Sequence, residues 1–300
     1  MGTFLCSLAV AVSLQQGASS GSPDSLRLRV ARDTTDGAGW LSLGRALLQV
    51  DLSYHTHGAG VDTTLATAVL DSADVAFTNA ATRLTDAHRA DSARTLRAFV
   101  WGRRALLAWE TGGTAAAIAR WHDAPSDLRL PPALEELAEN LLRACPTQGV
   151  LLVPVGPVAQ ATTYLRWARG LRPDLVVLPL ELWQSDSVLR GRVGPELGTA
   201  TRSLAAIAAK HPVCASMSFE RPPEIPAEQW QPRVLVWVTN GGADSVAEGD
   251  FVFAALRLAL DQSDAWASAA IATYRRAVAV TPTLCQAMET FRVKPEVGCR

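Results

Sequence analysis

Lysine is almost missing from this 300-residue chain: of 28 basic residues only Lys210 and Lys294 are lysines, and the rest are arginines. A phosphate-binding loop needs a Gly-Lys-Ser/Thr tripeptide. Ala209 and Val293 precede the two lysines, so that class of nucleotide-binding protein is excluded. An excess of either charge is missing too. The 28 basic residues meet 29 acidic ones, for a net charge of −1, which argues against a dedicated nucleic-acid binder. Cysteine is scarce, with five residues and no Cys-x-x-Cys, so zinc ribbons and thioredoxin-type redox motifs are out. No charge-free apolar run approaches the roughly 20 residues that a membrane-spanning helix takes.

What is present is enough to build a core: 48% of residues are hydrophobic and 19% charged, a composition far from that of disordered chains. Residues 4–14 are apolar and residues 17–23 small and polar, as in the core and cleavage region of a secretory signal, although no basic side chain precedes them. The expectation is therefore an apolar N-terminal segment over 1–23 and export to the periplasmic or extracytoplasmic face of the membrane. Loss of that segment removes Cys6 and leaves Cys145, Cys214, Cys285 and Cys299. In an oxidising compartment these four allow three disulfide pairings, and a Cys285–Cys299 pair would pin the C-terminal end.

Residues 24–122 read as helical, rich in Ala, Leu and Arg. Trp40, Leu43, Gly44 and Leu47 share one helix face, and Ala73, Phe77 and Ala80 recur at i, i+4, i+7. These two sets resemble the paired helices of a tetratricopeptide repeat, in which small residues let helices approach and aromatics fill the gap to the next pair. Leu47 stands where the family has tyrosine, and the loop holding Tyr54 to Gly60 is longer than the family's. A second unit reads from Ala98 to Trp121, with Trp101 and Gly102 in the Leu-Gly positions and a turn at Gly112. The resemblance covers about residues 38–122 and implies a protein-binding helical-repeat domain over 24–130.

After the Pro125, Pro131 and Pro132 linker, a helix is expected over 132–143 with proline in its first turn. Residues 149–155 and 175–180 are short apolar runs joined by a helical stretch, 159–169. Strands apolar on both faces and joined through a helix predict a parallel crossover. Helices are expected near 187–192 and 201–210, a third strand over 213–217, a proline-rich connection over 221–232 and a fourth strand over 233–238. This is a small parallel-sheet α/β domain spanning 131–245. A helical tail, 246–300, follows, with helices at 250–260 and 264–278 capped by Asp250 and Asp264, and one at 283–291. The fold class is mainly α with an α/β part.

Leu141-Leu142, Cys145-Pro146, Gly156, Tyr164-Leu165 and Arg172-Pro173-Asp174-Leu175 form a second pattern. It resembles the soluble C-terminal segment of bacterial protein O-mannosyltransferase-like membrane proteins, over about residues 137–191. In that family an acidic Gly-Asp-Asn-Asp turn follows the first strand. Here it is Gly156-Pro157-Val158-Ala159, so the carboxylates are gone. The resemblance implies a soluble, degenerate relative of those proteins.

The candidate chemistry is thin. His55 and His57 near Asp51 are a poor metal site, with no Glu or Cys beside them. His57-Gly-Ala-Gly60 has no Gly-x-Ser-x-Gly nucleophile to accompany an oxyanion loop. A dinucleotide site wants Gly-x-Gly-x-x-Gly, and the strand-to-helix turn offers Gly156 followed by Pro157. The C-terminal strand edge would present Gly156, Glu181, Asp186 and Asn240. Glu181 and Asp186 are placed to act as acid and base, yet the pattern favours solvated or helix-capping carboxylates. The clearest feature is the run Arg83, Arg89, Arg94, Arg97, Arg103 and Arg104, against Asp86 and Asp91. Arg94 and Arg97 share a helix face, and Arg94, Arg97 and Arg104, spaced to project from one long helix, are read as partner-docking residues. The nine tryptophans are core fillers or interface anchors.

The resulting expectation is a non-enzymatic scaffold or accessory protein with no cofactor and no metal. It would dock from outside the bilayer on an integral membrane protein complex, for example as an extrinsic subunit of a bacterial bioenergetic or photosynthetic complex. A small-ligand or glycan-binding envelope module at the strand edge is the alternative, and an unrecognised enzyme the third reading.

Overall fold

The computed structural model describes residues 21–55, 62–198, 203–222, 224–239, 251–262, 265–293 and 297–299. The N-terminal apolar segment, the loop after His55, and Asn240, Asp250 and Asp264 lie outside the described residues.

Four helices open the chain: α1 (Pro23–Arg32), α2 (Gly37–His55), α3 (Thr63–Arg83) and α4 (Ala87–His122). Each start for which a cap is seen follows from a short polar side chain. Ser22, Asp62 and Asp86 accept hydrogen bonds from first-turn amides of α1, α3 and α4, satisfying donors that the helix itself leaves unpaired. Helices α2 and α3 pack through the residues that suggested paired repeat helices. A Cβ on Gly44 would lie 2.6 Å from the ring of Phe77, which is fully buried. Ala66, Ala73, Ala76 and Ala80 line the same buried face of α3, so the backbones approach where the side chains are small.

Helix α4 differs from the helix–turn–helix expected over 98–121. It runs for 36 residues, interrupted at Gly113 (φ 75°, ψ −169°) rather than turning back at Gly112. That φ is one only glycine adopts without strain. The interruption is bridged by a helix of the α/β part, α8 (Ser187–Glu196). Arg192 donates to the carbonyls of Glu110 (3.0 Å) and Thr111 (2.7 Å), which end the first half of α4. Glu196 accepts from the amide (2.9 Å) and hydroxyl (2.7 Å) of Thr114, which start the second half. A cation caps a helix C-terminus and an anion caps an N-terminus, the arrangement the peptide dipoles favour. Arg166, nearly fully buried, approaches both Thr114 (3.4 Å) and Glu196 (4.0 Å). Its burial lowers the guanidinium pKa, and Glu196 opposes that. The helical and α/β parts are thus joined by polar contacts at a partly buried seam, with α4 packed on α8 and on the helix Pro157–Trp167.

The amphipathic helix α5 (Pro132–Ala144) leads into β1 (Val150–Val153), α6 (Pro157–Trp167), β2 (Val176–Pro179), the short α7 (Leu180–Ser185), α8, α9 (Leu204–Ala208) and β3 (Val213–Ser216). All residues of β1, β2 and β3 are buried, and the three strands are parallel, as their two-sided apolarity requires. The fourth strand is a correction. A hairpin of β4 (Trp230–Arg233) and β5 (Val236–Thr239) replaces the single strand expected over 233–238. The sheet is therefore mixed, in the order β2-β1-β3-β5-β4, with β5 antiparallel to both of its neighbours. Two residues separate β4 from β5, and so short a link can only reverse the chain. Val234 makes that reversal at φ 53° while remaining buried. Pro232, which cannot donate to a ladder, sits on the outermost strand.

The Leu-Leu, Cys-Pro and Arg-Pro-Asp pattern has an architectural role. Arg172 donates to the carbonyls of Leu142 (2.8 Å), Cys145 (2.9 Å) and Pro146 (3.2 Å) at the end of α5. The same guanidinium holds Asp174 through two 2.9 Å bonds, and Asp174 accepts from the amide of Gln148 at 3.0 Å. One arginine therefore ties the entry to β1 to the entry to β2. Cys145 bonds Cys214 on β3, and Cys285 bonds Cys299.

Of the last helices, α10 (Ala254–Asp261), α11 (Ala265–Val280) and α12 (Leu284–Thr290), α10 and α11 pack on α5, and α12 packs on α11. Glu136 of α5 accepts from the first amides of α10, Ala255 (2.7 Å) and Leu256 (2.9 Å), and burial pushes its pKa up. Asn140 exchanges hydrogen bonds with the backbone of Val252 and donates to Tyr274. Phe253, Tyr274 and Phe291 stack edge-to-face nearby.

Candidate docking site

The arginines of α4 meet a matching row of carboxylates on α3. Asp71 and Asp74 are one turn apart on α3, and Arg97, Trp101 and Arg104 are at i, i+4, i+7 on α4. Asp74 accepts from Arg97 Nε at 2.8 Å and from Trp101 Nε1 at 3.3 Å, and lies 3.8 Å from Arg104 Nη1. Arg104 donates to Asp71 at 2.7 Å, and its guanidinium lies 4.4 Å from the Trp101 ring centroid, within cation–π range. Increasing numbers on α3 meet decreasing numbers on α4, so the helices run antiparallel.

The three arginines therefore do not form one free face. Side-chain exposure is 53% for Arg94, 17% for Arg97 and 12% for Arg104. Arg104 braces α4 against α3. Arg103 points the other way, into a buried 2.7 Å pair with Asp51 of α2. Arg94 pairs with Asp91 on its own helix, where both groups are exposed. Sequence reasoning counted only Asp86 and Asp91 as counter-charges. Asp71 and Asp74 carry the signal of two carboxylates one turn apart on the neighbouring helix.

Beyond Asp74 the seam opens into a cavity of about 220 Å³ lined by Thr78, Ala81, Thr82, Arg94, Arg97, Asp127 and Leu128. The Nε edge of Arg97 is held by Asp74, while its Nη1 faces Asp127 at 3.6 Å. The lining sets the guanidinium groups of Arg94 and Arg97 and two threonines against the single carboxylate of Asp127, and paired guanidinium groups suit an oxyanion.

The strand edge is differently organised. Gly156 adopts φ 109° and ψ −147° at the start of α6, a conformation that demands glycine. Glu181 accepts from the amide of Val155 at 2.8 Å and so ties the end of β2 to the turn after β1. Asp186 is buried and accepts from the amide of Leu189 at 3.2 Å, in the first turn of α8. Both carboxylates thus serve the backbone. Asp51, the proposed neighbour of the histidines, is committed to Arg103. The described residues hold no cluster of three or more His, Cys, Asp or Glu able to bind a metal. No family model matches the chain, and neither a curated protein nor a solved structure matches it.

Proposed function

We propose that this chain is a non-enzymatic scaffold or accessory protein that docks, from the extracytoplasmic side, on an integral membrane protein complex. Arg94 and Arg97 form the point of attachment, and Arg104 holds α4 in position. The observation that carries the reading is the cavity between α3, α4 and the 123–131 linker, where two arginines and two threonines converge beside Asp127. Its volume of about 220 Å³ lies below the roughly 300–1,000 Å³ of small-molecule pockets, which favours a partner's side chain over a free organic ligand. Two disulfides suit an oxidising compartment. No helix among the described residues is long and apolar enough to cross a membrane, which fits an extrinsic subunit.

The test is co-purification from the native membrane. A tagged chain should recover an integral membrane complex at low salt, and high-salt or carbonate washing should release it. Arg94→Gln should lower the recovery with little effect on folding, because exposed substitutions usually shift stability by no more than about 0.5 kcal/mol. Recovery that ignores both salt and Arg94 would refute the assignment.

A further inference from the structure

The docking cavity already contains an acidic side chain of the chain itself. We infer that Asp127 is an internal stand-in for a partner carboxylate, and that an acidic segment of the partner protein binds by displacing it. The inference rests on the docking reading above and adds the chemistry of the occupant and the means by which the empty site is held.

Asp127 lies in the turn closed by the Leu128 amide donating to the Pro125 carbonyl at 3.3 Å. Its carboxylate reaches Arg97 Nη1 at 3.6 Å while its side chain stays 72% exposed. A charge-assisted hydrogen bond is about 2.7–2.9 Å long, so the pair is loose. The other partner of Arg97 is different in kind: Asp74 contacts Nε at 2.8 Å, and both side chains are 17% exposed. Arginine presents two separate donor edges. Here one edge is locked into the helix seam, and the other is aimed into the cavity and only weakly occupied.

Arg94 stands on the cavity wall, and its pair with Asp91 is a surface pair, with side chains 53% and 70% exposed. Such pairs are weak, so Arg94 can swing to an incoming anion at little cost. Thr78 and Thr82 donate to backbone carbonyls of their own helix. Both residues line the cavity, and a hydroxyl can turn its proton from one acceptor to another. Asp127 sets a negative charge 3.6 Å from the cavity edge of Arg97, so while it stays in place a second anion is repelled there. With Asp127 swung out, an anion entering between Arg94 and Arg97 restores the same local charge. A partner carboxylate therefore exchanges with Asp127 rather than adding to it.

Fluorescence polarisation of a labelled peptide of consecutive glutamates in a Gly-Ser frame, titrated with the full chain at low salt, tests this. Asp127→Asn should tighten binding about 2- to 5-fold, the factor by which a loose exposed ion pair resists opening. Asp123→Asn is the charge-matched control. Asp123 is 66% exposed, pairs with Arg120 at 3.6 Å and does not line the cavity, so its removal should leave binding near wild type. Arg94→Gln should weaken binding in both the wild-type and the Asp127→Asn backgrounds. Equal tightening by Asp127→Asn and Asp123→Asn would mean a general charge effect and overturn the stand-in role while leaving docking through Arg94 intact. No peptide binding by any variant would overturn the docking reading itself. Binding of vesicles containing anionic phospholipid, strengthened by Asp127→Asn in the absence of peptide binding, would replace the acidic segment by a lipid headgroup and overturn the assignment of the occupant.

Discussion

Asp74→Asn separates a structural brace from a solvated charge. The substitution keeps the size of the side chain and one acceptor but removes the negative charge that Arg97 and Arg104 share. Arg97 Nε is 2.8 Å from that carboxylate, Trp101 Nε1 3.3 Å and Arg104 Nη1 3.8 Å. An exposed pair is worth about 0–1 kcal/mol, and breaking a fully buried one costs about 3–5 kcal/mol. Asp74 and Arg97 are each 17% exposed, between these limits, which sets the expected loss at about 2 kcal/mol. Arg104 retains Asp71, and the asparagine retains one bond, so the upper limit is not reached. In a chain of this size about 2 kcal/mol lowers the melting temperature by roughly 3–4 °C. Urea unfolding followed by circular dichroism would show the same loss as a lower midpoint at unchanged slope. Asp91→Asn, which breaks only the exposed pair with Arg94, should fall within about 0.5 kcal/mol of wild type. The double variant Asp74→Asn/Arg97→Gln should cost less than the sum of its parts, because the two groups are in contact. Asp74→Asn with no more effect than Asp91→Asn would refute the brace, and with it the distinction drawn between Arg97 and Arg94.

Gly44→Ala should destabilise the chain by about 1–3 kcal/mol through overpacking against Phe77, despite a gain of about 1 kcal/mol in helix propensity. Phe77→Leu in the same chain should recover part of that loss, and thermal melts of the two variants would show it. Glu196→Gln should weaken the cap on the second half of α4 by about 1 kcal/mol, and hydrogen exchange at the Thr114 amide should rise before that of the first half of the helix. Asp174→Asn gives a pH test. Hydrogen bonds from Arg172 hold the Asp174 carboxyl below its ordinary value of 3.8, so its stabilisation is present above that pH and is lost as the pH falls through the depressed pKa. The stability gap between wild type and Asp174→Asn, measured by urea unfolding, should therefore be open at neutral pH and close in strong acid.

The elements that could be read from the chain are those whose signal is local. Proline at the start of α5 and two-sided apolar runs at β1, β2 and β3 each depend on a few consecutive residues. Spacing also marked Gly44 as a close-packing glycine on one helix face and Phe77 on another, while the contact between the two is set by how α2 and α3 pack. The parallel crossover from β1 through α6 to β2 follows from the same local patterns.

What no local pattern contained was which distant groups meet. Residues 230–239 hold a single apolar run, Val234 to Val238, which reads as one strand, and only the neighbouring β3 gives β5 an edge to pair with. The start of α10 takes its cap from Glu136, more than a hundred residues earlier, and the break at Gly113 takes both of its caps from α8. The arginine run shows the division most plainly. Its charge and helical spacing are written in residues 83–104. Whether an arginine is buried, braced or available depends on Asp51, Asp71, Asp74 and Asp127, which reach it only across helix seams or from the linker turn. A side chain's charge is a property of its residue type, but its desolvation and its counter-charge are set by whatever the fold packs against it.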